Sequence, residues 1–377
     1  MKKKLITYSL LILGLVGSTK LVYCQSTFDK ILKLTYRFEE AEPLKMSEFI
    51  SEISYIPLET NSQCLLGNMW IFAFDKDILI ISNDSSEGIY RFNAQGEYLN
   101  KIGRKGRGPN EYYGCSDIFL QNDTVYVVSN FSKAILCYSL SGEFLKRYKL
   151  DIENRPKHMV QLPNKSYMIS LSTTSKFGNL LKTDRKFEIQ TGFLKELPMA
   201  NSPQPSRFQK TKNSIYYFHN FHDTIYDITN GSPIPSIVID YGKYRIANQK
   251  RSVDPQNNLI LNTPSILDFN ASDNYFKLNL FYPYKEGIYS TLYRISDGKQ
   301  FIWSKLINDV DDGTLDRWFG FLAGDRLIFH LMPLTILERY GKMTKEEKLN
   351  PANSGFVKMA SKISAESNPV IMVCKIK

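Results

Sequence analysis

The chain has 377 residues and a formal net charge of +10, and 43% of its residues are hydrophobic and 13% aromatic. This composition excludes a disordered chain and suits a strand-rich core with many half-buried positions. The basic residues are scattered along the sequence, which excludes the concentrated basic stripe of a nucleic-acid-binding protein.

The chain begins with the features of a secretory signal. Met1 to Lys4 is basic, and Leu5 to Gly17 is an apolar run too short to span a bilayer. We predict a signal peptide over residues 1–24 and a single domain over residues 25–377, exported to the periplasm or cell surface. Two outcomes stay open at Cys24: cleavage after it, or a lipid anchor on it, although Tyr23 stands where a lipid-attachment signal has a small residue. No later segment is predicted to cross a membrane.

A short pattern recurs six times: a polar pair followed by a run of apolar β-forming residues. The pairs are Lys76-Asp77, Asn122-Asp123, Asn164-Lys165, Lys212-Asn213, Asp273-Asn274 and Gly324-Asp325. Repeats of this length with several short strands are typical of propeller blades, because one blade cannot bury both of its faces alone. The sequence therefore predicts an all-β fold, a six-bladed β-propeller with four-stranded blades.

The second repeat defines the strands of a blade. Alternating apolar residues and a glycine turn predict strands A to D at Tyr113–Leu120, Thr124–Ser129, Ala134–Leu140 and Phe144–Leu150. The first repeat matches this pattern, and the later repeats keep the hairpin between strands C and D. Those hairpins turn at Asp184–Lys186, Asn230-Gly231 and Asp297-Gly298.

The last repeat lacks a strand of its own. Its first strands are predicted near Trp318–Leu322 and Leu327–Leu331, and one short helix is predicted from Phe356, Val357, Ala360 and Ile363, which share a helical face. The chain then ends on an apolar strand. We expect Ile53–Leu58 to supply the missing outer strand, because a proline such as Pro57 is tolerated on an edge strand. Pairing of the two chain ends would close the ring.

The segment from Ile89 to Tyr112 resembles an NHL-type blade. Together with Tyr55–Thr60 and Glu366–Val370, it makes the chain similar to exported bacterial six-bladed β-propeller proteins of largely unassigned function. The resemblance spans most of the chain and is specific over residues 89–145. It implies no catalytic residue, because that family has no agreed ones.

Four cysteines follow residue 24. Cys137 and Cys374 lie within apolar strand patterns and are predicted to be packed thiols. Cys64 and Cys115 each precede an innermost strand, in adjacent blades, so a disulfide between them and two free thiols are both open.

A glycine-rich loop links the first two blades, on the rim that carries the B–C loops and the blade-to-blade links. Its backbone N–H groups and basic side chains can bind an anion. The alternative is a tight link between the two blades that binds no ligand and whose charges are solvated. The candidate ligand-binding residues in this loop are Arg104, Lys105, Arg107, Glu111 and Tyr112.

Two histidines and a carboxylate lie between strands B and C of the fourth repeat. His219, His222 and Asp223 can bind a metal or act as acid and base, but no third ligand from another blade is indicated. Asp223 also precedes a strand as Asp123 does, which favours an ordinary turn. We predict no metal and no cofactor.

Aromatic residues occur in two further loops of the same rim. Phe131 lies in the loop of the second blade and Tyr284 in that of the fifth. Exposed aromatic rings suit contact with sugars or peptides, whereas buried ones pack neighbouring blades together. Both alternatives stay open.

These observations support two functions. The first is a non-catalytic, monomeric binding or scaffolding propeller that recognises a glycan, peptide or partner protein of the cell envelope on this rim. The alternative is a hydrolase or lyase of NHL-like type, with His219, His222 and Asp223 near the central channel and Arg107 holding an anionic substrate. Propellers include both classes, so the fold alone does not decide.

Overall fold

Six antiparallel sheets form the blades of a β-propeller, as the repeats predict. A computed structural model describes residues 31–36, 41–67, 69–74, 77–82, 88–195, 208–219, 222–242, 264–282, 287–315, 320–345 and 354–377. The predicted signal peptide, Cys24, Tyr284 and most of the connection from Tyr241 to Pro264 lie outside these residues. Within the described ranges no helix is long and apolar enough to cross a membrane.

Three strands precede the first blade: β1 (Leu32–Thr35), β2 (Pro43–Lys45) and β3 (Ile50–Pro57). Blades one to five follow in chain order, innermost strand first. Blade one has β4 (Met69–Phe74), β5 (Asp77–Ser82), β6 (Gly88–Asn93) and β7 (Tyr98–Ile102), and blade two has β8 (Asp117–Gln121), β9 (Thr124–Ser129), β10 (Ala134–Ser139) and β11 (Phe144–Lys149). Blade three has β12 (Pro156–Gln161), β13 (Tyr167–Ser175), β14 (Gly178–Thr183) and β15 (Ile189–Phe193), and blade four has β16 (Phe208–Lys210), β17 (Ile215–Phe218), β18 (Thr224–Asp227) and β19 (Ile234–Asp240). Blade five has β20 (Ser265–Ala271), β21 (Tyr275–Tyr282), β22 (Gly287–Arg294) and β23 (Gln300–Trp303). The remaining elements are β24 (Lys305–Ile307), β25 (Phe321–Ala323), β26 (Arg326–Leu331), α1 (Pro333–Lys345), α2 (Ser354–Ala360) and β27 (Val370–Ile376).

The polar turn residues form the tight hairpins that the sequence predicts. Asn122 and Asp123 have φ angles of 46° and 57°, the left-handed conformation of a two-residue hairpin loop. Asp184 accepts hydrogen bonds from the backbone N–H groups of Lys186 and Glu188, at 2.8 and 2.9 Å. A side chain that bonds its own turn in this way fixes the register of the strands on either side.

Strands from both ends of the chain complete the sixth blade, whose order is β25-β26-β27-β3. Strand β3 is antiparallel to β27, with Pro57 opposite Val370 and Ile53 opposite Cys374. Pro57 ends the outer strand, where no ladder donor is needed. The predicted closure of the ring by paired chain ends is confirmed.

Apolar side chains between neighbouring blades form the core. Between blades five and six, Phe49 stacks on Trp303 with ring centroids 5.6 Å apart, and Phe356 of α2 is fully buried in the same cluster. The predicted short helix is therefore present. The sequence prediction of one helix is incomplete, because α1 also forms and buries Ile336 and Met343 against this cluster.

The amino-terminal strands add pairings that the repeats do not predict. Strand β1 lies parallel to β19 as a fifth strand of blade four, and β2 pairs in parallel with β24 beyond blade five. Together with β3, this segment runs past blades four, five and six.

The start of strand β8 differs from the sequence prediction, and the state of two cysteines decides between the alternatives left open. Strand β8 begins at Asp117 rather than Tyr113, because Gly114 has a φ of 72° and interrupts the extended backbone. Cys64 and Cys115 are both free thiols. Burial raises the pKa of the Cys115 thiol well above its ordinary value.

Candidate functional site

Four segments lie on the rim that carries the B–C loops and the links between blades. They are the link over residues 103–116, the B–C loop over residues 130–133, the link over residues 150–155 and the loop at Lys176 and Phe177. They belong to blades one, two and three. Because strands alternate in direction within each blade, these connections all reach the same end of the sheets.

The glycine-rich loop is held by its own residues. Glu111 accepts a hydrogen bond from the Gly108 N–H at 2.9 Å and pairs with the Arg104 Nε at 2.9 Å. Tyr112 is buried beside Tyr138, with ring centroids 6.2 Å apart, and burial raises the pKa of its hydroxyl. Lys105 and Arg107 are exposed. The structure thus gives Glu111 and Tyr112 contacts that stabilise the loop, and it leaves basic side chains at the surface.

A row of cations and aromatic rings begins at this loop. The guanidinium carbon of Arg107 lies 4.7 Å from the Tyr113 ring centroid, and the Arg107 Nη2 donates to the Tyr113 hydroxyl at 3.0 Å. The Tyr113 ring packs against Phe131 at 5.2 Å, and Arg155 lies 4.4 Å above Phe131. We call these four residues the aromatic platform.

Hydrogen bonds hold the backbone of the platform in place although Phe131 is exposed. Phe131 is 48% exposed, while its N–H donates to the Tyr113 carbonyl at 3.2 Å. Tyr113 in turn exchanges two hydrogen bonds with the Ser129 hydroxyl, at 2.9 and 3.1 Å. At Gly114 a Cβ atom would lie 2.3 Å from the Phe131 ring, so glycine is required for this close approach.

Basic side chains surround the platform. The four rim segments together carry six basic side chains and three carboxylates. Lys176 pairs with Glu153 at 3.0 Å, and Glu111 is occupied by Arg104, so two of the three carboxylates are already paired. The surface is therefore net positive, and it combines charge with exposed aromatic area.

The histidine pair lies on the same rim in blade four. His219 is buried, and its carbonyl accepts from the His222 N–H at 3.2 Å. The His222 Nδ1 lies 3.8 Å from an Asp223 carboxylate oxygen, which also accepts from the Thr224 hydroxyl at 2.8 Å. The described residues contain no group of three metal-ligating side chains. The arrangement is that of a hydrogen-bonded turn.

The central channel contains a cavity of about 320 Å³ lined by the innermost strands of all six blades. Polar side chains there bond to the backbone of the next blade. Asp117 accepts from the Met159 N–H at 3.0 Å, and Asn270 accepts from the Leu322 N–H at 3.3 Å. These bonds give hydrogen-bond acceptors to backbone N–H groups on the unpaired edges of the innermost strands, so the polar side chains stabilise the ring.

The sequence predicts half of the platform. It singles out Arg107 and Phe131 and misses Tyr113 and Arg155. Tyr113 continues an alternating apolar pattern, which places it in a predicted strand. The signal for Arg155 is its position in the next blade-to-blade link, about one repeat after Arg107.

A family model described as a domain of unknown function, DUF4934, matches residues 29–375. No curated protein matches the chain. Among solved structures, a Bacteroides fragilis protein described as exported is 18% identical with a TM-score of 0.75, over 92% of this chain and all of that one. A member of the DUF4221 family from Bacteroides vulgatus is 10% identical with a TM-score of 0.53, over 87% of this chain and 97% of that one.

A virginiamycin B lyase from Staphylococcus aureus is more distant, at 14% identity and a TM-score of 0.41 over 74% of this chain and 81% of that one, and it carries no argument about activity. The resemblance to six-bladed propellers of unassigned function is confirmed by the family model and the structural similarity. The resemblance of one segment to an NHL-type blade stays a prediction. Because the family model covers nearly the whole described chain, the protein belongs to the DUF4934 family.

Proposed function

We propose that this protein is a non-catalytic binding or scaffolding propeller that works outside the cytoplasm and holds a glycan, a peptide or a partner protein on its aromatic platform. The basic and apolar start of the chain supports export to the periplasm or cell surface. The protein acts as a monomer in this proposal.

One observation carries the binding role. Phe131 is half exposed, and yet it is held by a backbone hydrogen bond, by its close contact with Gly114 and by the flanking side chains of Tyr113 and Arg155. A rigid exposed aromatic ring gives contact area without the entropy cost of ordering it on binding. Tyrosine and arginine beside such a ring are the residue types enriched in binding hot spots.

The residues that the hydrolase or lyase alternative names, His219, His222 and Asp223, lie in a rim turn of blade four and form no metal-binding group with other described residues. His222 and Asp223 share a turn within their own blade. The channel carboxylate Asp117 accepts from the backbone of blade three and lies 3.5 Å from His158 Nδ1. These contacts stabilise the turn and the ring, so the aromatic platform supports the binding role best.

Glycan and peptide arrays test the proposal. Wild-type protein is compared with Phe131→Ala and with Leu145→Ala, a control on an outer strand that is 53% exposed. We expect ligands that bind the wild type to be lost by Phe131→Ala and kept by Leu145→Ala. Binding that is equal in all three proteins, or absent on both arrays, would contradict a ligand site at the platform.

A further inference from the structure

We propose that the ligand of the aromatic platform is an acidic peptide segment of a partner protein, with two carboxylates that reach Arg107 and Arg155 and an apolar side chain that contacts Phe131. This inference rests on the proposed binding function. It goes further by assigning one ligand class and two recognition residues.

The charge of the platform supports an anionic ligand. Neither the Arg107 nor the Arg155 guanidinium has a carboxylate partner within the described part of the chain, although other cations nearby do. Arg107 uses one N–H on the Tyr113 hydroxyl, and a guanidinium has five. Both guanidiniums therefore keep donors for a carboxylate, which arginine binds with two parallel hydrogen bonds.

The geometry of the ring favours a peptide over a sugar. A sugar binds an aromatic residue by lying flat on the ring face, but the Arg155 guanidinium covers a face of Phe131 at 4.4 Å and Tyr113 packs beside it. An apolar ligand side chain needs only part of the ring surface, and the electropositive edge of an aromatic ring attracts a neighbouring carboxylate. An apolar side chain between two acidic residues supplies both contacts.

The two guanidiniums are close enough for one short segment. The successive contacts from Arg107 through both rings to Arg155 measure 4.7, 5.2 and 4.4 Å. The guanidinium carbons are thus at most roughly 14 Å apart, a span that about four residues of extended chain cover at about 3.3 Å each.

Fluorescence anisotropy tests the assignment. The probes are fluorescein-labelled peptides with two glutamates separated by a few apolar residues, the same peptides with glutamine, and labelled polygalacturonate as an anionic glycan. The variants are Arg107→Gln, Arg155→Gln, Arg155→Lys and Phe131→Ala. Arg326→Gln is the matched control, because Arg326 lies 5.2 Å from the Phe74 ring at the opposite end of the blades.

We expect the acidic peptides to bind the wild type, more weakly as salt rises, and the glutamine peptides to bind at least about tenfold more weakly. Arg107→Gln, Arg155→Gln and Phe131→Ala should each weaken binding about tenfold, Arg155→Lys should weaken it less because it keeps the charge, and Arg326→Gln should leave it unchanged. Thermal melts confirm that each variant is folded.

Two results would overturn the inference in distinguishable ways. If polygalacturonate binds in a Phe131-dependent manner and the acidic peptides do not, the ligand class is wrong and the binding function stands. If no probe binds and the arrays show no Phe131-dependent ligand, the inference and the proposed function both fail.

Discussion

Gly114 determines where Phe131 lies. Its φ of 72° is in the left-handed region, and a Cβ atom there would meet the Phe131 ring at 2.3 Å and the Asn130 side-chain oxygen at the same distance. A residue other than glycine would have to leave this conformation or push the ring away. The position of the Phe131 ring therefore depends on Gly114, which itself has no side chain that could contact a ligand.

Gly114→Ala should lower the free energy of unfolding, and Gly324→Ala is its matched control. Gly324 has a φ of 59° and no atom within 4 Å of the position that a Cβ would take, so the control incurs only the backbone strain, on the order of 1 kcal/mol. Gly114→Ala adds overpacking against Phe131, a further 1–3 kcal/mol or so. Urea unfolding measures the free energy of unfolding of both variants. Equal losses would show that the Phe131 ring moves away from residue 114 at no cost.

The sequence singles out individual candidate residues but not their stacking. Arg107 and Phe131 are recognisable because glycine-rich and aromatic loops stand out between strands. Glu111 and Tyr112 belong to the same loop, yet their contacts are internal, and sequence does not show whether a loop residue points inward. The row from Arg107 to Arg155 crosses three separate segments, so it depends on how adjacent blades pack.

At the scale of elements, the sequence predicts what is periodic. Alternating apolar residues and left-handed turn residues define the blades, and the last outer strand follows from counting strands. Strand β1 lies outside the repeats and pairs in parallel with a strand about 200 residues away, so no local pattern indicates it. Helix α1 does carry a local signal, because Pro333 occupies its first position, where proline is favoured.

Strand β1 should contribute to stability through its buried side rather than its charges. Leu34 is buried against blades four and five, whereas Lys33 is 62% exposed and pairs with Asp240 at 2.7 Å. Leu34→Ala should cost about 2–5 kcal/mol by opening a cavity. Lys33→Ala should cost about 1 kcal/mol or less, because exposed ion pairs contribute little.

Chemical unfolding of the two variants measures this difference. Both substitutions lie in the same short strand, so any loss of its backbone pairing affects them alike. A cost for Lys33→Ala equal to that of Leu34→Ala would mean that β1 is held by its edge contacts and not by its packing.

The ring as a whole depends on its last strand. Strand β27 lies between β26 and β3, so its removal exposes two strand edges and separates β3 from the blade. It carries five consecutive buried residues, Val370, Ile371, Met372, Val373 and Cys374. Each contributes roughly 1.5–3 kcal/mol by burial, and together they rival a total stability of about 5–15 kcal/mol.

Removal of Val370–Lys377 should therefore give insoluble or protease-sensitive protein, because unpaired edges and an exposed apolar face aggregate. Removal of residues 25–30, which precede the first strand, is the control and should leave solubility and the thermal melt unchanged. Limited proteolysis and thermal melts compare the two truncations. A soluble protein that lacks Val370–Lys377 and melts cooperatively would mean that the ring holds without a complete sixth blade, and that the pairing of β27 with β3 is not what keeps it closed.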